Sequence, residues 1–93
     1  SDPPRTHECI TTLPGAQVLM RAKEFFAERV PQTAAFPDEQ GPGFLTLRGQ
    51  GGEEVAIAVT ADGGATRVRA STLFFDQAVA RFLGTLPVVE GVA

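Results

Sequence analysis

The stretch from Phe44 to Ser71 does most to limit what this chain can become. It holds three short segments of strand character, Phe44 to Arg48 (FLTLR), Glu54 to Thr60 (EVAIAVT) and Ala65 to Ser71 (ATRVRAS). Only Gly49-Gln50-Gly51-Gly52 and Ala61-Asp62-Gly63-Gly64 separate them. Both gaps read as hairpin turns, so the three strands run antiparallel. Asp62-Gly63 is the stronger turn signal, because both residues accept the positive φ of a type I′ turn. Taken as the two-residue loop, it sets Ile57 opposite Val68 and Val59 opposite Thr66. Val55, Ile57, Val59, Val68 and Ala70 then share an apolar face, and Ala56, Ala58, Thr60, Arg67 and Arg69 occupy the other. Leu45 and Leu47 join the apolar face if Arg48 lies opposite Glu54, a favourable cross-strand pair.

The flanks supply what that apolar face needs. Arg5 to Leu13 (RTHECITTL) has no breaker and predicts a first strand. Pro14 suits the first turn of a helix, with Thr12 or Leu13 at the cap. Ala16 to Val30 repeats Val18, Ala22, Phe25, Phe26 and Val30 at helical spacing, with Leu19 widening the stripe and Pro31 as the stop. Gln32 to Gly43, punctuated by Pro37, Gly41, Pro42 and Gly43, reads as a loop that Phe36 tucks down. Thr72 to Leu86 predicts a second helix, capped by Ser71 or Thr72, with Asp76 favourably placed near the positive end of its dipole. Phe75, Val79, Phe82 and Leu86 form its seam, beside Ala78 and Leu83. Ser1 to Pro4 reads as a disordered lead-in and Val88 to Ala93 as a loose tail. The expected order is β-α-β-β-β-α: an α+β two-layer sandwich, a four-stranded antiparallel sheet packed by two helices, in one domain over 1–93.

Composition narrows the function classes. A chain of 93 residues, 43% hydrophobic, fits one domain and is too apolar for intrinsic disorder. Eight basic residues against eleven acidic ones, for a net charge of −3, argue against a nucleic-acid binder. No apolar run approaches the roughly 20 residues of a membrane span. The single cysteine, Cys9, cannot form an intramolecular disulfide. The compartment stays open, with a soluble, cytoplasmic setting slightly favoured.

Candidate chemistry is sparse. Gly49-Gln50-Gly51-Gly52 leads into a strand, not a helix, and Glu53-Glu54 would repel an anion, so a turn is expected there and not a phosphate cradle. His7-Glu8-Cys9 and Glu53, Glu54, Asp62 point to alternating faces and do not converge as metal ligands. Cys9 reads as a structural thiol. As a nucleophile it would need His7, two residues away on the same face, and no Asn or Asp is evident to orient that histidine. Tyr and Trp are absent and His7 is the one histidine, so no catalytic constellation, cofactor site or metal site is expected. More suggestive are Arg48, Arg67 and Arg69, which share the outer face with Ala56, Ala58 and Thr60. Small side chains under reaching arginines make a shallow surface suited to a partner subunit or an acidic ligand. Phe74, beside Phe75 and off the seam, joins the candidate interface.

Thr11 to Phe26 (TTLPGAQVLMRAKEFF), following a first strand, resembles the opening of the START-like, Bet v 1-like helix-grip superfamily, in which a Pro-initiated helix carries an apolar stripe. Gly63 to Leu86 (GGATRVRASTLFFDQAVARFLGTL) resembles its close, a Gly-turned last strand leading into a C-terminal helix. The resemblance implies a shortened helix-grip plan, since the family has about twice as many strands between its helices. A ferredoxin-like or TATA-binding-like sandwich is the competing analogy. Two roles follow as expectations. The first is a non-catalytic module that self-associates as a homodimer and serves interaction or scaffolding. The second, implied by the resemblance, is a binder of a small apolar ligand held between Val55, Ile57, Val59 and Val68 of the sheet and Phe75, Val79 and Phe82 of the last helix.

Overall fold

A computed structural model describes residues 5–28 and 34–88 of the chain. The elements are β1 (Arg5–Thr11), α1 (Gly15–Ala27), β2 (Ala35–Gly41), β3 (Phe44–Gly49), β4 (Glu54–Asp62), β5 (Ala65–Thr72) and α2 (Asp76–Gly84). The five strands form one sheet in the order β1-β5-β4-β3-β2, and every neighbouring pair is antiparallel. β2 to β5 are a continuous meander, and β1 returns to lie against the last strand. The coarse class read from the sequence, an α+β chain with an open antiparallel sheet and two helices, is the one observed.

Both helices cover the same face. Val18, Leu19, Ala22 and Phe26 of α1 and Ala78, Val79 and Phe82 of α2 meet Leu45, Leu47, Val55, Ile57, Val68 and Ala70 in a single buried cluster. Phe25 joins the helices across it, its ring centroid 5.2 Å from Phe26 and 5.5 Å from Phe82. Gly15 lets the start of α1 press onto β4, because a Cβ there would stand 2.8 Å from Cγ2 of Val59. Phe75, Val79, Phe82 and Leu86 form the expected seam, and all four are buried.

Several boundaries differ from expectation, each for a local reason. The sheet has five strands instead of four, because Ala35–Gly41 is a strand and not a loop. Its pairing with β3 is interrupted by a bulge between Pro37 and Glu39, and as an edge strand it tolerates the missing Pro37 N–H. Phe36 is therefore not tucked down. It lies opposite Arg48 on the outer face and is half exposed. In the β4–β5 hairpin the turn residues are Gly63-Gly64, at φ +59° and +88°, with Asp62 paired to Ala65. Ile57 consequently faces Ala70, and Val59 faces Val68. The partner has slipped by two residues, so every side chain keeps its predicted face. The Arg48–Glu54 pairing is observed as expected.

The helix ends also shift. The N-cap of α1 is Pro14, not Thr12 or Leu13, and its carbonyl accepts hydrogen bonds from the Gln17 and Val18 N–H groups. α2 begins four residues late, because Thr72 is still the end of β5. There it pairs with both Val55 and Arg5. The Thr72 hydroxyl donates to the Glu54 carbonyl at 3.1 Å and accepts from the Phe75 N–H at 3.1 Å, turning the chain between strand and helix. Val88, expected in a loose tail, bridges to Thr11. The expected lead-in over Ser1 to Pro4, the end of the first helix at Val30 and the rest of the tail lie outside the described residues. Among those described, no helix is long and apolar enough to cross a membrane.

Candidate functional site

The helices leave the second face of the sheet uncovered. Strand registers fix its layout. One row crosses the sheet as Glu8, Arg69, Ala58, Phe44 and Gly41. The next runs Thr6, Ser71, Ala56, Thr46 and Glu39. A third holds Glu54, Arg48 and Phe36, and Leu73, just past the end of β5, continues it. Two shallow depressions share Ala56 and Ser71 as floor. Phe44 and Arg69 wall one of them, and Leu73 and Phe74 rim the other. The small residues leave the depth, and the aromatic residues stand at its margins. Phe74 is 73% exposed and Leu73 51%. Phe44 lies across Gly41, where an added Cβ would come within 2.5 Å of its ring.

Charge on this face is arranged in local clusters. Arg48 donates through Nε and Nη2 to Oδ2 of Asp38, with Glu54 3.5 Å away, and through Nη1 to the Gly52 carbonyl. Arg67 bridges Asp62 at 3.0 Å and Glu8 at 3.4 Å. Arg69 is the loosest of the three, 3.9 Å from a Glu8 that Arg67 already engages, and its side chain is 61% exposed. Exposed pairs of this kind contribute little to stability, about 0–1 kcal/mol each. Their effect is to give each arginine a carboxylate neighbour, and with Glu39 the face carries three arginines against five carboxylates.

All six candidate interface residues, Arg48, Ala56, Ala58, Arg67, Arg69 and Phe74, are exposed or half-buried and lie on this face or at its rim. Phe44, Thr46, Phe36, Glu39 and Leu73 belong with them beyond the sequence expectation. For Phe44 and Thr46 the signal was present, since alternation from an outward Arg48 places both outward. For Phe36 and Glu39 it was not, because β2 does not read as a strand.

The candidate ligand residues lie on the other face. Val55, Ile57, Val68, Phe75, Val79 and Phe82 are buried in the core cluster, and Val59 is packed against it. The structure brings the seven together as mutual packing partners.

His7 and Cys9 face the helices from β1. Nε2 of His7 lies 3.0 Å from Oδ1 of Asp76 at the start of α2, so a carboxylate does orient the ring. The Cys9 thiol is nonetheless pushed above its ordinary pKa by burial, opposite to what a nucleophile requires. The β3–β4 loop closes on itself. The Gly51 N–H donates to Oε1 of Glu53 at 3.0 Å and the Gly49 N–H to the Glu53 carbonyl at 2.8 Å, so its amides are turned inward to the chain's own acceptors. Among the described residues no three His, Cys, Asp or Glu side chains gather as metal ligands.

Fold and site together define a two-layer α+β domain with one packed and one open sheet face. No family model, curated protein or solved structure matches this chain.

Proposed function

We propose that this domain is a non-catalytic interaction module that self-associates through the open face of its sheet. The observation that carries the reading is the continuity of that face. Alanine, serine and threonine form a floor, Phe36, Phe44, Leu73 and Phe74 stand exposed around it, and the arginines among them each have a carboxylate neighbour. Depletion of unpaired charge with exposed aromatic residues distinguishes the centre of an interface from ordinary surface.

The sheet edges are less suited to pairing with another chain. β2 carries Pro37 and a bulge, both of which interrupt strand addition. On β1, Thr11 is already met by Val88. A shortened helix-grip plan is part of the same proposal, supported by the adjacency of first and last strands and by α2 lying on the sheet. A grip on an apolar ligand would require the seven inner residues to part, and their mutual burial favours the outer face as the working surface.

The test is sedimentation velocity across a concentration series. The apparent mass is expected to rise from 9.8 kDa towards twice that value. Ala58→Arg, which adds a bulky charge to the floor without touching the core, is expected to hold the protein monomeric with an unchanged melting temperature. A wild-type protein that stays monomeric throughout overturns the reading.

A further inference from the structure

The registers carry more than the existence of an interface, because they determine how the face meets a copy of itself. Resting on the self-association reading, we infer that two copies pack face to face about a two-fold axis that lies in the interface, parallel to the strands and midway between β3 and β4.

Such an axis reflects the face left to right while keeping each row. β4 then lies over the partner's β3, and β5 over the partner's β2. Phe44, which stands opposite Ala58 within one chain, comes down on the partner's Ala58. Its ring lies over Gly41 of its own chain, and the partner's methyl floor leaves room for it within the about 10 Å that separates packed sheets. Thr46 meets the partner's Ala56. Glu54 meets the partner's Arg48, and Leu73 meets the partner's Phe36. Arg69, the least engaged of the three arginines, lies over the partner's Gly41, one row from the partner's Glu39, and its long side chain reaches that carboxylate diagonally. Charge faces opposite charge directly in the row of Glu54 and Arg48 and diagonally between Arg69 and Glu39, and the large apolar groups face apolar or small ones.

Other axes do worse on the same layout. A two-fold along β4 would set Glu54 against its own copy. One perpendicular to the strands, between the rows of Ala56 and Ala58, would press Arg67 towards Leu73 and Phe44 onto Thr46. The chosen axis also aligns the strands of the two sheets, the common arrangement in β-sandwiches. Strands of about seven residues spaced about 4.8 Å apart present a flat area on the order of 500 Å². Side-chain relief raises the accessible area further, which suits a reversible dimer at the smaller end of specific interfaces, about 1,000–1,600 Å² in total.

Charge reversal at Arg69 and Glu39 tests the axis cleanly. The two lie on β5 and β2, with β4 and β3 between them, so they do not pair within one chain. Arg69→Glu alone places two like-charged contacts in its dimer, and so does Glu39→Arg alone. Each is expected to weaken dimerisation about tenfold or more. An equimolar mixture converts both contacts to opposite charge, and is expected to associate within about threefold of the wild type. Native mass spectrometry should find the mixed dimer in excess over either parent, and circular dichroism should show all variants folded. If the single variants associate like wild type, or the mixture is as weak as its components, the axis is wrong and the self-association reading stands. If wild type is monomeric at about 100 μM, both fall together, and the open face serves a different partner.

Discussion

Single side chains settle where the helices attach. Thr11 is fully buried, and its hydroxyl donates to the Pro87 carbonyl at 2.6 Å while accepting from the Leu13 N–H at 3.3 Å. Thr72 does the equivalent at the other end of the sheet, between β4 and α2. Each satisfies backbone groups that would otherwise be buried without a partner, which costs about 1–3 kcal/mol apiece. Cys9 sits between them on β1 as a packing residue. Because burial raises its pKa, the folded protein holds less thiolate than an unfolded chain at any pH below the ordinary thiol range. Alkylation near neutral pH is therefore expected to be slow, to rise with pH later than for a free thiol, and to accelerate on adding denaturant. Prompt labelling of the native protein at neutral pH would show a reactive thiol instead.

At the scale of elements, the β4–β5 hairpin shows what composition alone can and cannot fix. Gly63 and Gly64 have open space where a Cβ would stand, so their requirement is wholly one of backbone conformation. Gly63→Asn, at φ +59°, is expected to change the melting temperature little. Gly64→Ala, at φ +88°, is expected to cost about 1 kcal/mol or more, measured by urea denaturation. Equal tolerance at both sites would argue against a turn built on Gly63-Gly64. A turn at Asp62-Gly63 would pair residues two positions away from their observed partners, yet it gives every side chain the same face. Alternation has a period of two, and Val55, Ile57, Val59, Val68 and Ala70 all obey it. The helix seams were readable for the same reason, since Val18, Ala22 and Phe26, or Phe75, Val79 and Phe82, mark one side of a helix unaided. β2 was not readable. Ala-Phe-Pro-Asp-Glu-Gln-Gly carries no apolar alternation, and only the ladder offered by β3 makes it a strand. Half of the outer face was hidden with it, because Phe36 and Glu39 acquire their positions from that pairing. The His7–Asp76 contact was hidden by distance, with 69 positions separating the two residues.

At the scale of the whole molecule, a single cluster carries the fold. Phe26 and Phe82 are its largest fully buried side chains, with ring centroids 6.0 Å apart. Phe26→Ala is expected to cost about 3–5 kcal/mol and to lower the melting temperature by more than about 15 °C. A shift of only a few degrees would mean that α1 is not essential to the core. The open face contributes nothing to that cluster, and for this reason substitutions there can be read as effects on association. The β1 edge has a mechanical consequence. The described chain enters this strand at Arg5 and leaves beside its opposite end, where Val88 bridges Thr11. Tension applied across residues 5 and 88 would run along the strand axis. The load would fall first on the Thr11–Val88 bridge and the packing of α2, and would then reach the β1–β5 ladder at its Arg5–Thr72 rung, from which the strands peel apart.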